Sequence, residues 1–145
     1  IEFKDVLARA LGGRIAEKII YGTDRVTTGA GSDLRKATEI ARDMVIEQGM
    51  GSKLRDQVFH EDNGGMVFDK ITHERPYSDD TAREIDTEVA ELIKEASRRA
   101  EVVLTKNRKS LDILAEALVK EETIEEERVA ELLKGATLPK EAALY

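Results

Sequence analysis

The sequence predicts a mainly α-helical fold, and three observations support this. Charged residues make up 37% of the chain and aromatic residues only 4%, which is typical of helices with charged outer faces and aliphatic inner faces. Only two prolines occur in 145 residues. Apolar residues also recur at spacings of three and four over several long stretches, which is the period of an α-helix. We therefore expect a helical bundle with long loops and at most a short strand or strand pair.

The overall charge limits the kinds of partner that this chain can bind. The formal net charge is −7, which argues against a nucleic-acid surface, because such surfaces are basic. It also argues against binding to an anionic membrane surface. The absence of cysteine excludes disulfides and thiolate metal sites. No stretch approaches the ~18 apolar residues of a membrane span, and no signal peptide is visible. Because the chain starts at Ile1, we expect it to be a soluble fragment of a longer protein.

The first predicted helix covers residues 4–21. Two glycines, Gly12 and Gly13, lie in its middle, and each costs about 1 kcal/mol relative to alanine in a helix interior. Two explanations remain open for this pair, close approach by another backbone or a simple kink. The residues expected to line the buried face of this helix are Phe3, Val6, Leu7, Leu11, Ile15 and Ile19.

A glycine-rich loop over residues 22–31, with a possible extended piece at 26–28, precedes a second predicted helix over 33–48. Ser32 is a good N-cap residue, and Gly49 suits the position just past the other end. Asp33 falls in the first turn, where the helix dipole favours a carboxylate. A cation ligand and a plain capping residue are both compatible with that position. The expected apolar stripe consists of Leu34, Ala37, Ala41, Met44 and Val45.

Residues 50–77 show the least regular pattern, and we expect a loop there, with a short strand pair as the most structure. Both histidines, His60 and His73, lie in this region. Neither forms the HExxH pattern in which two histidines one helical turn apart bind zinc. A lone histidine in a loop is far more often a surface residue, so neither is assigned to a metal.

Three further helices are predicted, over residues 79–106, 110–121 and 124–134. Ser78 is expected to cap the first of them, and Thr123 begins a capping-box sequence before the last. The acidic and basic residues between the apolar positions of the long helix are expected to form a solvated face. The predicted inward residues are Ile85, Val89, Leu92, Ile93, Ala96, Ala100, Val103 and Leu104, then Leu111, Leu114 and Leu118, then Val129, Leu132 and Leu133.

Four sequence stretches follow one another along the chain: LGGRIAEKIIYG at 11–22, TTGAGSDL at 27–34, ATEIARDMV followed by GMGSKL within 37–54, and YSDDTAREIDTEV at 77–89. In this order they resemble the protease domain of the FtsH family of membrane-anchored, ATP-dependent zinc metalloproteases. The resemblance covers roughly residues 5–134, and several ordered motifs at the right separations are far more specific than any one of them. It implies a helical bundle of the FtsH protease type.

The resemblance implies that Asp33 is the third zinc ligand. The two histidine ligands and the general-base glutamate of HExxH would precede Ile1, so no catalytic residue is expected in this chain. The chain alone is expected to be metal-free and inactive. It contains no P-loop sequence, so ATP would act only through an upstream ATPase domain.

Four other residues are candidates for supporting the ligand or the local structure. Glu17 could be a rival ligand, a neighbour of the ligands or a partner of Arg14 on the same helix. Thr28 and Ser32 belong to the motif that carries Asp33. Gly31 and Ser32 stand where the family commonly has serine and asparagine, and both changes keep turn and cap chemistry. The region 55–76 does not follow the family pattern.

The implied organisation is the C-terminal part of a protease domain over residues 1–135, followed by a flexible tail over 136–145. Within it, residues 1–50 form helices on the active-site side, 51–77 an irregular region and 78–135 the C-terminal helices. The whole protein would form a hexameric ring on the cytoplasmic side of the inner membrane, anchored by segments outside this chain, and would degrade unfolded or membrane polypeptides. The alternative is a non-catalytic helical assembly module, in which Asp33 is only a first-turn residue.

Overall fold

The computed structural model describes residues 2–22, 30–59 and 77–137. These ranges contain five helices and no strand: α1 (Glu2–Tyr21), α2 (Ala30–Ile46), α3 (Asp79–Lys106), α4 (Arg108–Glu121) and α5 (Glu126–Leu132). The prediction of a mainly α-helical fold is therefore confirmed. The extended piece at 26–28, most of the region in which a strand pair was considered, and both histidines lie outside the described residues.

Helices α1, α2 and α3 pack on one another and form the hydrophobic core. Most buried positions are those at which the apolar period placed them, but Phe3, predicted on the buried face of α1, is exposed, and Ile46 is buried without having been predicted. Alanines in α2 and α3 let the helix backbones come close. Full burial of a leucine or isoleucine side chain contributes about 1.5–3 kcal/mol. The core residues are Leu7, Leu11, Ile15, Ala37, Ala41, Met44, Val45, Ile46, Ile85, Val89, Leu92, Ala96 and Ala100.

Ion pairs along the outside of this core join α1 to α3. Lys4 Nζ lies 3.0 Å from Glu95 Oε1, and Lys18 Nζ lies 3.5 Å from Glu101 Oε1. These side chains are exposed, so each pair contributes little, typically about 0–1 kcal/mol. Burial of the aliphatic side chains therefore supplies most of the stability.

The predicted ends of the helices are partly right. Ser78 caps α3, where its Oγ accepts a hydrogen bond from the Thr81 backbone N–H at 3.2 Å. The prediction that Ser32 caps α2 is wrong, since the helix begins at Ala30 and Ser32 lies within its first turn. Alanine is the strongest helix former, which favours this earlier start. Asp33 stays in the first turn, as predicted.

The capping box predicted at Thr123 is also wrong. Helix α5 begins at Glu126, and Glu125 occupies the N-cap position without a side-chain hydrogen bond. The chain instead turns sharply as it leaves α4: Glu122 adopts a φ of 59°, and the Thr123 N–H donates to the Glu121 carbonyl at 2.6 Å. The backbone of Thr123 is therefore used to end α4 rather than to begin α5.

The α4–α5 pair makes fewer apolar contacts with the core than the sequence suggested. Leu118, predicted to pack inward, is 50% exposed, whereas Ala117 is buried. A polar contact connects this pair to the end of α3: the Asn107 Nδ2 donates to the Thr137 carbonyl at 2.9 Å, and its Oδ1 accepts from the Thr137 N–H at 2.6 Å. None of the helices in the described ranges is both long and apolar enough to cross a bilayer.

Candidate functional site

The Asp33 carboxylate lies where α2 begins beside the middle of α1. Asp33 is half-buried in the first helical turn, near the positive end of the helix dipole. A Cβ atom built on Gly13 would lie 3.8 Å from Asp33 Oδ2. The Asp33 carboxylate thus lies beside Gly13 on the surface of α1, at ordinary contact distance from a Cβ atom there.

The two glycines of α1 therefore differ in their surroundings. A Cβ atom on Gly12 would have no described atom within 4 Å. The described residues place no second backbone against either glycine, and the neighbour of Gly13 is a side chain. The expected approach by another backbone is therefore not made by the described residues and stays a prediction for a helix outside this chain, and α1 runs through both glycines as a continuous helix.

The other predicted residues are distributed around this point. Glu17 follows Gly13 by one helical turn, so the two share a face of α1, and Arg14 and Glu17 are both half-buried. Ser32 is exposed beside Asp33 in the first turn of α2. Glu17 and Ser32 both have interaction partners. Thr28 lies outside the described residues.

The donor set at Asp33 can be compared with what zinc requires. A hydrolytic zinc site uses three protein ligands and keeps one position open. Across residues 2–22, 30–59 and 77–137, no group of three or more histidine, aspartate, glutamate or cysteine side chains could hold a metal ion. The described residues therefore do not by themselves form a zinc site.

A second carboxylate, which the sequence analysis assigned to the solvated face of α3, is buried. Glu88 is only 3% exposed. Its Oε2 accepts a hydrogen bond from the Ser52 N–H at 2.6 Å, and its Oε1 accepts from the Lys53 N–H at 2.6 Å and from Ser52 Oγ at 2.9 Å. The solvated-face prediction is wrong for Glu88, because the loop that follows α2 folds over this part of α3.

The ionisation of Glu88 reflects two opposing influences. Burial is the largest single influence and raises the pKa, but the N–H groups of Lys53, Ser52 and Leu54 and the Ser52 hydroxyl together outweigh it. The pKa of Glu88 is therefore lower than usual, and the side chain is charged at neutral pH. Hydrogen bonds to a carboxylate stabilise its ionised form in this way.

The loop over residues 49–59 requires two of its glycines. Gly49 has a φ of +57° and follows the end of α2 as predicted, and a Cβ atom on it would lie 2.9 Å from the Gln57 carbonyl oxygen. A Cβ atom on Gly51 would lie 3.1 Å from Glu88 Oε2. Beside them, Lys53 Nζ lies 2.8 Å from Glu84 Oε1 in an ion pair, and the Glu84 carboxylate is the main cause that raises the pKa of Lys53.

One sequence signal could have identified Glu88. It follows Ile85 by three residues and precedes Leu92 by four, so it falls on the same helical stripe as these buried residues. A charged residue on an apolar stripe is expected to be paired when it is buried. Periodicity could not identify its partners, which lie more than 30 residues earlier in the chain.

Comparison with known protein families gives a match over most of this chain. The sequence profile of peptidase family M41 matches residues 1–132. The chain belongs to peptidase family M41. The resemblance to FtsH proteases is thereby confirmed.

Individual relatives of this M41 chain agree with that assignment. It is 44% identical over 140 residues to the ATP-dependent zinc metalloprotease FtsH of Bacillus subtilis, covering 95% of this chain and 22% of that protein. It is 45% identical over 128 residues to the ATP-dependent zinc metalloprotease FtsH 3 of Synechocystis, covering 88% and 21%. The M41 chain thus spans about a fifth of the length of these curated relatives.

Proposed function

We propose that this M41 chain is the C-terminal part of the proteolytic domain of an ATP-dependent zinc metalloendopeptidase, and that Asp33 supplies its third zinc ligand. The observation that carries the proposal is the Asp33 carboxylate, held in the first turn of α2 against Gly13 of α1. The relatives named as zinc metalloproteases support the choice of metal.

The chain contributes a carboxylate in a fixed position. Ala37, Ala41 and Met44 anchor α2 in the core, so the first turn of α2 is held on a rigid base, which a ligand residue requires. The carboxylate lies at the positive end of the α2 dipole and beside Gly13 of α1. When zinc is bound, it would supply the acidification of a water molecule and the polarisation of the scissile carbonyl.

The remaining parts of the site are proposed to come from outside this chain, since the chain spans about a fifth of its relatives. Two histidines and a general-base glutamate of an HExxH helix would complete the zinc site. An ATPase domain would deliver polypeptide substrates. We propose that the whole protein is a hexameric ring on the cytoplasmic side of the inner membrane, held there by segments that this chain does not contain.

A second candidate function is a non-catalytic helical assembly module of the same fold. The observation in its favour is that a first-turn aspartate stabilises a helix without any metal, and that the described residues form no metal site of their own. In that case Asp33 would only complement the helix dipole.

The test is the zinc content of a longer protein that includes the residues before Ile1, compared with its Asp33→Ala variant. About one zinc ion per chain, lost in the variant, would support the metalloprotease, because a site reduced to two protein ligands binds zinc weakly. Asp43→Ala is the matched control, since Asp43 is an exposed residue near the other end of α2. Absence of zinc from both proteins would favour the assembly module. Zinc retained in Asp33→Ala would place the third ligand elsewhere, and Glu17 would be tested next.

A further inference from the structure

The turn over residues 51–53, here called the 51–53 turn, directs its polar hydrogens at one carboxylate. The Ser52 N–H, the Lys53 N–H and the Ser52 hydroxyl all donate to Glu88, at 2.6, 2.6 and 2.9 Å. Both carboxylate oxygens are used. Successive backbone N–H groups that converge on one anion form the concave anion site known as a nest.

The shape of the 51–53 turn also fits a carboxylate. A Cβ atom on Gly51 would approach Glu88 Oε2 to 3.1 Å and its carboxyl carbon to 3.2 Å. Such distances are tighter than ordinary van der Waals contact, so a side chain at position 51 would displace the carboxylate. With Glu88 in place, the site is closed to solvent, as the 3% exposure of that residue shows.

The other backbone hydrogen bonds of the loop lead back to α2 or stay within the loop. The Met50 N–H donates to the Met44 carbonyl and the Phe59 N–H to the Ile46 carbonyl, at 2.9 and 2.8 Å. Among the described polar contacts, the loop reaches α3 through Glu88 and through the Lys53–Glu84 ion pair. That ion pair is largely exposed on the lysine side and therefore contributes little.

We propose that the 51–53 turn is a carboxylate-binding site whose resident ligand is the Glu88 side chain. This contact is a latch that holds residues 49–59 against α3, and it opens without unfolding the core of α1, α2 and α3. The fully buried core residues come from the helices, and the loop adds only the partly buried Leu54 and Phe59 at the edge of the core, so the core of α1, α2 and α3 does not require the latch to be closed. When the Glu88 carboxylate is removed, the vacant site accepts a small carboxylate such as formate.

Hydrogen exchange measured by NMR in the 145-residue chain tests both parts of this proposal. In Glu88→Gln, a neutral amide replaces the carboxylate that accepts these hydrogen bonds. We therefore expect the hydrogen-exchange protection of the Ser52 and Lys53 amides to fall at least about tenfold, which corresponds to the loss of one charge-assisted hydrogen bond. The amides of Leu11 and Ala41 in the core should change far less, because local opening does not require global unfolding. Glu91→Gln is the matched control, since Glu91 lies one turn later on α3 and accepts none of these hydrogen bonds from the 51–53 turn.

Formate tests the binding site directly. In Glu88→Ala, sodium formate should restore protection at Ser52 and Lys53, whereas sodium chloride at equal ionic strength should not. Protection that formate fails to restore would overturn the carboxylate site. Unchanged protection in Glu88→Gln would overturn the latch, and so would an equal loss at Leu11 and Ala41, which would make Glu88 a part of the core.

Ser52→Ala and Gly51→Ala keep the proposal falsifiable if Glu88→Ala does not fold. Ser52→Ala removes the hydroxyl donor and leaves both N–H donors, so the Lys53 amide should lose less protection than in Glu88→Gln. Gly51→Ala places a methyl group 3.1 Å from the carboxylate and should lower the protection of both amides while sparing the core. Full protection in Gly51→Ala would contradict the proposed fit of the turn around the carboxylate.

Discussion

Two carboxylates near the two ends of α2 have opposite surroundings, that of Asp33 in α2 itself and that of Glu88 in α3. At its first turn, Asp33 is half-buried over Gly13, and none of the hydrogen bonds among the described residues uses its carboxylate. Beyond its last turn, Glu88 of α3 is 3% exposed, and both of its oxygens accept hydrogen bonds from the loop. The same functional group therefore accepts no hydrogen bond within the described ranges at one end and is used within the fold at the other.

The proposed ligand role of Asp33 and the structural role of Glu88 make different demands on a carboxylate. A metal ligand needs lone pairs that the protein has not already used. A buried structural carboxylate needs the reverse, because a buried charge that lacks hydrogen-bond donors is strongly destabilising. Substitutions at the two ends should therefore affect different measurements.

The largest effect is expected from Asp33→Asn in the longer protein that contains the complete protease domain. An amide is a much poorer zinc ligand than a carboxylate. Even the substitution of a residue that only supports a ligand lowers activity about 10–100-fold. We therefore expect peptide hydrolysis to fall by at least about 100-fold, with the free energy of unfolding within about 0.5 kcal/mol of the original. Asp43→Asn is the control for charge loss on α2. Unchanged hydrolysis in Asp33→Asn would remove Asp33 from the ligand set.

A substantial effect on stability is expected from Glu88→Gln. The neutral amide loses the charge-assisted hydrogen bonds, and its own NH2 group faces the N–H donors of the loop. We therefore expect the free energy of unfolding, measured by urea denaturation, to fall by about 2 kcal/mol. Glu91→Gln should stay within about 0.5 kcal/mol, as is usual for an exposed position. Equal stability of the two variants would contradict the structural role of Glu88.

A smaller difference is expected between two leucine substitutions in α1. Gly13→Leu and Gly12→Leu both gain helix propensity, but only the first adds atoms beside the Asp33 carboxylate, since a Cβ atom at Gly12 has no described atom within 4 Å. We expect Gly13→Leu to be less stable than Gly12→Leu by about 1–2 kcal/mol, the cost of crowding. The comparison is made by thermal or urea unfolding. Equal stability would mean that Gly13 is not required to accommodate Asp33.

The smallest effect on stability is expected from lowering the pH. Because the pKa of Glu88 is lower in the folded protein than in the unfolded chain, its contribution is fully present above the unfolded pKa of about 4.3. This contribution is lost as the pH falls through the folded value, because the unfolded chain then binds the proton more readily. The charged groups around Glu88 are Lys53 and Arg55 of the loop, Lys4 of α1, and Glu84, Glu91 and Glu95 of α3.

Urea denaturation at a series of pH values checks this prediction. Between about pH 6 and pH 3, the stability of the original protein should fall more steeply than that of Glu88→Gln, which has no carboxylate to protonate at position 88. The other acidic residues titrate in both proteins, so the difference between the two curves isolates Glu88. Parallel curves would show that the folded pKa of Glu88 is not lowered.

Local interactions made much of the fold predictable. The apolar period placed α1, α2 and α3 and identified their core residues, because a helix needs only contacts within its own few turns to reveal its buried face. The cap at Ser78 and the first-turn position of Asp33 depend on neighbouring residues alone. The ordered motifs also identified the FtsH family, which the match over residues 1–132 confirmed.

The tertiary structure decided what depends on segments far apart in the chain. That Gly13 accommodates Asp33, that Glu88 is enclosed by the 51–53 turn, and that Leu118 stays half-exposed all depend on how separate helices and loops meet. Periodicity shows which face of a helix is apolar. It does not show which loop covers that face or which hydrogen-bond donors that loop contributes. The sequence by itself therefore determined the helices and the family, and the packing between distant segments determined that the Glu88 carboxylate is enclosed.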